Sequence, residues 1–449
     1  METNAFLHFT VNTFTGKEWG DGDEDPSIFD PAAFDPDQIL LALKAGGMEG
    51  VILTCKHHDG FCLWPTKTTA HCVRFSRWKD GKGDVVREIS QAAARHDLKF
   101  GIYLSPWDRN NADYGKPAYI ATYRAQLTEL LTGYGPIFEV WFDGANGGSG
   151  FYGGARETRT IDKSSYYDWP GTWALVRNLQ PEAVIFSDVG PDVRWVGNEN
   201  GIAGETCWAT CDPVTSDARP AVPGDADPSV LNAGTRFGPR WMPAECDISI
   251  RPGWFWHEQE NGRVKTPAQL LDLYFASVGR GANLLLNVPP NRDGQLAKQD
   301  VDSIAEFQRM LQAIFGRNLA AAARVDASNV RGRSPHFDPS LLFDGNPDTY
   351  WATDDRVHAA ELVVDFGQPC KFNIVRLGEA IQLGQRIGAF AVDVWQQGSW
   401  TEVAHATSVG SCRLLRLPAP VKTPRLRLRI VDSPACIALC ELGVFLQEL

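Results

Sequence analysis

Ionisable and aromatic side chains stand where several short apolar runs of this sequence end. The clearest case is the run 137–142, which follows Gly135 and Pro136, has the composition of a buried strand and leads directly into Asp143. Other residues in comparable positions are His8, His57, His58, Trp107, Asp108, Trp141 and Asp188. If these runs are parallel strands of one α/β barrel, their carboxyl ends meet at one mouth, where such barrels carry their chemistry.

Carboxylates among His and Trp side chains suit the hydrolysis of a glycosidic bond. That reaction needs two carboxyl groups, one acting as nucleophile or base and the other as an acid with a raised pKa. Asp143 is the better nucleophile candidate, because a rigid strand would hold it beside Trp141. Spacing alone leaves the second carboxylate open, and the candidates on or after the next strand are Asp188, Asp192, Glu199 and Glu205.

Three other interpretations of the same residues remain open at this point. A metal-dependent barrel hydrolase also uses His and Asp at strand ends, although His8-Phe9-Thr10 lacks the usual His-x-His of amidohydrolases. A structural explanation is that Asp143 caps the following turn and that the histidines are hydrogen-bonded core residues. A barrel that binds glycans without cleaving them is the third, and the presence of several suitable carboxylates disfavours it.

Composition restricts the class of protein and its partners. The 449 residues carry a formal net charge of −12, which disfavours nucleic acid and anionic membranes as partners. The 15 Trp exceed what packing needs and suit stacking on sugars, while the 10 Cys form no C-x-x-C pair. Apolar runs are too short to insert into a membrane. Because residues 1–4 lead directly into the first strand, we expect a secreted or periplasmic protein whose export signal has been removed.

Strands that alternate with helices over about the first 315 residues must position these side chains. We expect strands at 6–14, 50–55, 99–104, 137–142, 183–186, 244–251 and 282–288, and helices at 35–45, 84–96, 117–132, 173–179, 266–278 and 302–315. This alternation predicts a (β/α)₈-like barrel over residues 1–317. Short alternating segments without long helices follow, and they predict a β-sandwich or jelly roll over residues 318–449.

Five motifs in order resemble the α-L-fucosidases of glycoside hydrolase family 29. They occupy residues 6–14, 18–20, 56–61, 101–108 and 139–144. The resemblance implies that Asp143 is the nucleophile. It also implies that Glu199 is the acid/base, because Arg194-Trp195-Val196-Gly197-Asn198-Glu199 matches the Arg-Trp-x-Gly-Asn-Glu motif of the subgroup that prefers α-1,3/1,4-linked fucose on branched glycans.

The resemblance further implies which residues bind fucose and what else the enzyme requires. The implied fucose-binding residues are His8, Glu18, Trp19, His57, His58, Trp141 and Arg251, the last matched less closely than the others. The implied substrates are fucosylated oligosaccharides or glycoconjugates, and catalysis is expected to need no metal or other cofactor.

The second domain resembles the discoidin-like, galactose-binding-type module. The resemblance rests on the stretches 342–351, 362–367 and 440–445. Such modules often carry a structural Ca²⁺, and Asp344 and Glu441 are the candidate ligands here. Whether this domain binds sugar or only packs on the barrel is open from the sequence.

Overall fold

Eight parallel strands form a closed barrel in the computed structural model of the chain, which describes residues 1–448. The strands are β1 Thr3–Leu7, β2 Gly50–Lys56, β3 Lys99–Leu104, β4 Glu139–Trp141, β5 Val184–Ser187, β6 Val193–Trp195, β7 Ala244–Ser249 and β8 Asn283–Asn287. Each strand pairs with the next one along the chain, and β8 closes the barrel against β1. The predicted α/β barrel is therefore confirmed.

Inward-facing residues from six strands fill the barrel interior. They are Phe6, Ile52, Tyr103, Trp141, Phe186 and Leu285, and they form one buried cluster. Alternate residues of a strand point to opposite faces, so the remaining apolar residues of the same strands pack outward against the helices. Because both faces are covered, the strands appear in the sequence as almost continuous apolar runs.

The helices begin at residues suited to that position. The α-helices of the described chain are α1 Val11–Thr15, α2 Pro36–Ala45, α3 Val85–Arg95, α4 Pro117–Gly133, α5 Trp169–Leu179, α6 Pro228–Ala233, α7 Pro267–Ala276 and α8 Lys298–Phe315. Asp35 and Asp84 accept hydrogen bonds from backbone N–H groups in the first turns of α2 and α3. Thr266 and Gln269 form a capping box at the start of α7. Side-chain oxygens at these positions satisfy N–H groups that a helix leaves unpaired.

The strand prediction for the barrel fails at two places, and helix α6 was not predicted. The predicted strand over 6–14 is wrong beyond Leu7, because β1 spans Thr3–Leu7 and the chain then turns into α1. The Thr10 side chain accepts a hydrogen bond from Asn12 N, which starts that helix despite the β-forming residues around it. The short β6 was missed because its three residues show no periodicity of their own.

The insert after β4 contains a small hairpin. Gly148–Gly150 pairs antiparallel with Glu157–Arg159, and a second two-stranded pair joins Thr210–Cys211 to Arg240–Trp241. Short 3₁₀ turns lie at Pro26–Ile28, Val73–Phe75, Trp78–Gly81, Tyr152–Gly154, Glu258–Arg263, Arg331–Arg333, Pro335–Phe337, Pro339–Phe343 and Ile381–Leu383. These loops surround the barrel and its second domain.

The second domain is built from antiparallel strands, as the sequence predicted. They are β9 Arg324–Ala327, β10 Trp351–Ala352, β11 Ala360–Glu379, β12 Ala389–Gln396, β13 Ser399–Ala406, β14 Arg413–Asp432 and β15 Ala438–Phe445. The register between the long β11 and β14 shifts between Asp365 and Cys370 and again between Phe372 and Ile374. Such irregularities bend a strand, and a separate apolar core lies inside the domain.

Two further sequence expectations concern cysteines and membranes. All ten cysteines lie within the described residues as free thiols, and seven of them are buried. Residues 1–448 contain no helix with the length and apolar character that crossing a bilayer requires.

Candidate active site

Asp143 lies two residues beyond the end of β4, at the mouth of the barrel. Its Oδ2 accepts a hydrogen bond of 2.8 Å from the Tyr103 hydroxyl, and its Oδ1 accepts one of 2.6 Å from Ala145 N. His58 Nε2 lies 3.8 Å from Oδ2. The side chain nevertheless keeps 23% of its surface exposed. The carboxylate is therefore oriented by the protein and open to a ligand.

His8 is a neutral imidazole whose protonated nitrogen can be assigned from its neighbours. Its Nδ1 lies 2.9 Å from Asn287 Oδ1, and Asn287 Nδ2 donates to the Trp254 carbonyl, which can only accept. The Asn287 oxygen therefore accepts from His8, and His8 Nδ1 carries the proton. Burial lowers the pKa of His8 to about 3, with a smaller contribution in the same direction from His58. His8 Nε2 is left as a hydrogen-bond acceptor.

The protonated ring nitrogen of His58 can be assigned in the same way, from its contact with Ser105. Its Nδ1 lies 2.7 Å from Ser105 Oγ, and that hydroxyl donates to the Trp107 carbonyl at 2.8 Å. Ser105 Oγ therefore accepts from His58, whose Nε2 faces Asp143 without a proton. Burial lowers the pKa of His58, and the Asp143 charge opposes that change.

His57 completes a group of three buried imidazoles. Its ring centroid lies 5.5 Å from that of His8 and 4.1 Å from that of His58. Burial holds the pKa of His57 well below its usual value, and both neighbouring histidines add to this effect. Its Nδ1 has no hydrogen-bond partner among residues 1–448. Unprotonated imidazoles of this kind suit sugar hydroxyls better than anions.

Aromatic rings form the walls of the mouth. Trp19 is 53% exposed, and its ring meets those of His58 and Trp107 edge-on at 5.4 and 5.5 Å. The Trp254 ring lies 5.0 Å from that of His8. An exposed ring above polar groups can cover the apolar face of a sugar.

Glu18 and Trp141 lie at the site but already have protein partners. Glu18 accepts hydrogen bonds from Trp254 N at 2.7 Å and from His257 Nε2 at 2.8 Å, so it holds the loop after β7. Trp141 donates its indole N–H to Glu245 at 2.8 Å and stacks on Phe186 at 4.1 Å. Trp141 therefore forms part of the floor below Asp143.

Arg251 is the predicted binding residue that the structure places least accessibly. Its side chain is fully buried, and it donates to Asp300 at 2.9 Å, to the His257 carbonyl at 3.2 Å and to Asn261 at 3.0 Å. A buried ion pair with these extra hydrogen bonds cross-links the loop after β7 to α8. Contact between Arg251 and a substrate stays a prediction.

The four candidates for the second carboxylate have different surroundings. Asp192 pairs with Arg177 and accepts from Ile185 N at 2.8 Å, which ties it to the outside of the barrel. Glu205 pairs with Arg280 and Arg413. These two carboxylates are therefore neutralised by arginines.

Asp188 differs because it lies half-buried beside Asp143. It accepts from Gly224 N at 2.8 Å, and burial raises its pKa to about 6. A Cβ placed on Gly144 would lie 2.2 Å from its Oδ2, so Asp188 packs against the turn that follows the nucleophile candidate. This arrangement suits a residue that holds the two loops together.

Glu199 is exposed on the loop after β6 and faces open space. It lines a cavity of about 620 Å³ together with residues of α7 and of the loop after β7. Partial burial raises the pKa of Glu199, a hydrogen bond from the Trp254 side chain opposes this, and the negative charge of Asp143 raises it further. A carboxyl group with a raised pKa beside a cavity is suited to donate a proton.

Sequence reasoning missed three residues of this site. Tyr103 contacts Asp143, Asn287 sets the tautomer of His8, and Trp254 lies between His8 and Glu199. The sequence contained one signal, the alternation in β3 that turns Tyr103 inward with Phe6 and Trp141. Nothing local marks Asn287, which lies 279 residues from its partner.

A metal centre is not favoured at the mouth. Within the described residues, the group of three or more metal-type ligands that lie close enough together is Asp21, Asp23 and Glu24, in the loop after α1. Lys17 and Arg156 pair with these carboxylates, and Glu24 also accepts from two backbone N–H groups. The arrangement is that of a cross-linked loop.

Comparison with known proteins agrees with this geometry. The model of the family described as alpha-L-fucosidase matches residues 3–314, and that of the F5/8 type C domain matches residues 324–442. Alpha-L-fucosidase 1 of Arabidopsis thaliana is 42% identical, and the match covers 99% of this chain and 85% of the relative. The predicted discoidin-like second domain is thus confirmed.

Solved structures show the same two-domain arrangement. A glycoside hydrolase 29 family member from an unknown rumen bacterium is 41% identical with a TM-score of 0.88, covering 100% of this chain and 76% of that one. A Ruminococcus gnavus GH29 fucosidase solved with fucose is 33% identical with a TM-score of 0.88, covering 100% and 93%. With the family model spanning the barrel, these matches establish that the chain belongs to the α-L-fucosidases of glycoside hydrolase family 29.

Proposed function

We propose that this α-L-fucosidase is a retaining exo-enzyme that uses Asp143 as nucleophile and Glu199 as acid/base. The observation that carries the proposal is the contrast between the two carboxyl groups. Asp143 accepts two hydrogen bonds and faces His58, whereas Glu199 has a raised pKa and lies beside an open cavity. A carboxyl group with a raised pKa suits the acid, and an oriented carboxylate that is open to a ligand suits the nucleophile.

The reaction then proceeds in two balanced steps. Asp143 Oδ attacks the anomeric carbon while Glu199 gives its proton to the glycosidic oxygen, so the bond to the leaving sugar breaks and a fucosyl-enzyme ester forms. Glu199, now ionised, takes a proton from water, which attacks the same carbon and releases Asp143. Two inversions give net retention of configuration.

The imidazoles and rings at the mouth would bind the fucose. His8 and His58 each present an unprotonated Nε2 as an acceptor for a sugar hydroxyl, and His57 packs against both rings. Trp19 can cover the apolar face of the sugar. Glu18, Trp141 and Arg251 support this pocket through the contacts described above.

The preferred substrate is proposed to be α-1,3/1,4-linked fucose on a branched glycan. The cavity beside Glu199 supports this, because the leaving sugars must lie on the side of the acid. Its volume of about 620 Å³ leaves room for more than one sugar ring, and Asn200, Gln269 and Asp272 offer polar groups to it. Contacts with sugars beyond the fucose can add to transition-state binding.

Calcium is not part of the proposal. Asp344 already accepts from Asn346 N at 2.8 Å and from the Thr349 hydroxyl at 2.6 Å. Glu441 lies 3.0 Å from the Arg376 guanidinium, which neutralises it. Both candidate ligands therefore already have partners within the protein.

Proton NMR of the first turnover tests the mechanism. Hydrolysis of 4-nitrophenyl α-L-fucoside should release α-L-fucose first, before mutarotation produces the β anomer. Initial release of the β anomer would contradict retention. A second arm adds EDTA to the enzyme: unchanged turnover is expected, and a loss that Zn²⁺ or Ca²⁺ restores would favour the metal-dependent alternative.

A further inference from the structure

Side chains of the second domain form hydrogen bonds to residues 207–209, in the segment that follows Glu199. Cys207 N donates to Ser408 Oγ at 3.1 Å. Gln385 accepts from Ala209 N at 2.7 Å and donates to the Cys207 carbonyl at 3.0 Å. Its amide thus pairs with the backbone of this segment as a neighbouring strand would. Three backbone groups within residues 207–209 are thus satisfied by side chains of the second domain.

Glu205 also links the two domains in this region. Arg413 of the second domain donates to the Glu205 carbonyl at 2.6 Å and lies 3.4 Å from its carboxylate. Arg280 of the barrel pairs with the same carboxylate and donates to the Ala203 carbonyl at 2.6 Å. The two arginines hold one glutamate from opposite domains.

A continuous set of contacts leads from Glu205 back to Glu199. Ala203 N donates to the Ala276 carbonyl of α7 at 2.9 Å. The Asn198 side chain accepts from Asn200 N at 3.1 Å and donates to the Ile202 carbonyl at 2.9 Å, so it closes the loop around Glu199. Glu199 itself is exposed, and its position depends on this loop.

We propose that the second domain positions the acid/base, with Arg413, Ser408 and Gln385 as positioning residues. This inference rests on the proposed role of Glu199. A proton donor must lie within hydrogen-bond reach of the leaving oxygen. Because Glu199 stands on a loop and not on a strand end, contacts from outside the barrel hold it there. Asp143 receives none of its hydrogen bonds from the second domain and would be unaffected.

Leaving-group dependence separates this role from a merely structural one. Arg413→Ala should lower kcat/KM about tenfold for a fucosylated oligosaccharide, which needs acid assistance, because small displacements of a catalytic group are costly. The same variant should keep kcat/KM for an activated aryl fucoside within about twofold, since a good leaving group needs little protonation. Any general loss of folded enzyme would lower both values together.

Arg376→Ala is the matched control. Arg376 is also an arginine of the second domain that pairs with a barrel glutamate, Glu2, at 2.8 Å, but it lies away from residues 198–209. Arg376→Ala should change kcat/KM for both substrates by the same factor or leave both values unchanged. If Arg413→Ala and Arg376→Ala give the same ratio of the two rates, the positioning role is wrong.

Milder variants keep the test decisive if Arg413→Ala does not fold. Ser408→Ala and Gln385→Ala each remove hydrogen bonds to the same segment, and the double variant should show the same selective loss. Glu199→Ala is measured alongside. If Glu199→Ala lacks leaving-group dependence, the acid assignment fails and this inference fails with it. If Glu199→Ala shows leaving-group dependence and the second-domain variants do not, the positioning role of the second domain is wrong and the role of Glu199 stands.

Discussion

The two carboxyl groups at the barrel mouth are held in different ways. Asp143 follows directly from a barrel strand and receives hydrogen bonds from the adjacent strand and from its own turn. Glu199 stands on an exposed loop that is anchored by helix α7 and by the second domain. The proposed nucleophile is thus placed by a barrel strand and its neighbour, and the proposed acid by contacts made between distant parts of the chain.

This difference has a chemical reason. A nucleophile must keep one distance and direction to the anomeric carbon in both steps. An acid must lose and regain a proton beside leaving sugars of various shapes, so partial exposure and a pKa raised by neighbours are useful. The following variants test the comparison, beginning with the largest expected effect.

Asp143→Asn should abolish most activity on every substrate, by about 10⁴-fold or more, as expected for removal of a group that acts covalently. The fold should persist, because Asn Oδ1 can still accept from Ala145 N while its NH2 group can donate to the Tyr103 hydroxyl oxygen. Steady-state kinetics with an aryl fucoside, together with circular dichroism, measure this. Turnover near the wild-type value in a folded sample would remove Asp143 from the role.

Glu199→Ala should slow poor leaving groups by about 10³-fold, within the usual contribution of general acid–base catalysis. Activated aryl fucosides should be much less affected in the first step, and azide should restore turnover with α-fucosyl azide as product, because azide attacks the β-linked fucosyl-enzyme and inverts it. Asp188→Ala is the matched control, since Asp188 is a half-buried carboxyl beside Asp143. Azide rescue of the Asp188 variant in place of the Glu199 variant would reverse the assignment.

The preference for one fucose linkage over another tests the contacts that substrate sugars make beside Glu199. Lewis-type trisaccharides should be cleaved at least about tenfold faster than 2′-fucosyllactose at equal concentration, because the branch sugar adds contacts beside Glu199. Chromatography of released fucose measures both rates in one mixture. Equal rates would contradict the linkage preference and leave the fucosidase activity as it stands.

Tyr103→Phe tests the hydrogen bond that Asp143 accepts from the neighbouring strand. Loss of the 2.8 Å hydrogen bond to Asp143 should lower kcat/KM about tenfold on both poor and activated leaving groups, since hydrogen bonds to charged groups contribute about 1.5–3 kcal/mol. Tyr123→Phe is the control, because its buried hydroxyl donates to the Leu104 carbonyl and not to Asp143. A selective loss on poor leaving groups would place Tyr103 with the acid instead.

Trp254→Phe should have the smallest effect, a shift in the pH profile. The Trp254 side chain donates to Glu199 and thereby lowers its pKa, so removing that donor raises the pKa further. Because the acid must be protonated in the free enzyme, activity should persist to higher pH, and the alkaline limb of kcat/KM should move upward by less than about one unit. A downward shift would contradict the hydrogen bond.

Much of the fold could be predicted because its signals are local. The caps at Asp35, Asp84 and Thr266 stand beside the helices they begin, and the apolar runs reveal strands covered on both faces. The prediction failed at residues 6–14, where β-forming residues belong to a short helix that Thr10 caps. The β-propensity of these residues does not decide their structure, because a helix cap and tertiary packing oppose it.

By itself the sequence determined the barrel, the second domain and the strand that leads to Asp143, and one motif proposed Glu199 as the acid/base. The tertiary structure decided what surrounds them: the Tyr103 hydroxyl on Asp143, the arginines that neutralise Asp192 and Glu205, and the contacts from Ser408 to the segment after Glu199. The reason is the range of the interactions. Caps and periodicity act over a few residues, whereas the pKa and position of a catalytic group depend on neighbours up to hundreds of residues away in the chain.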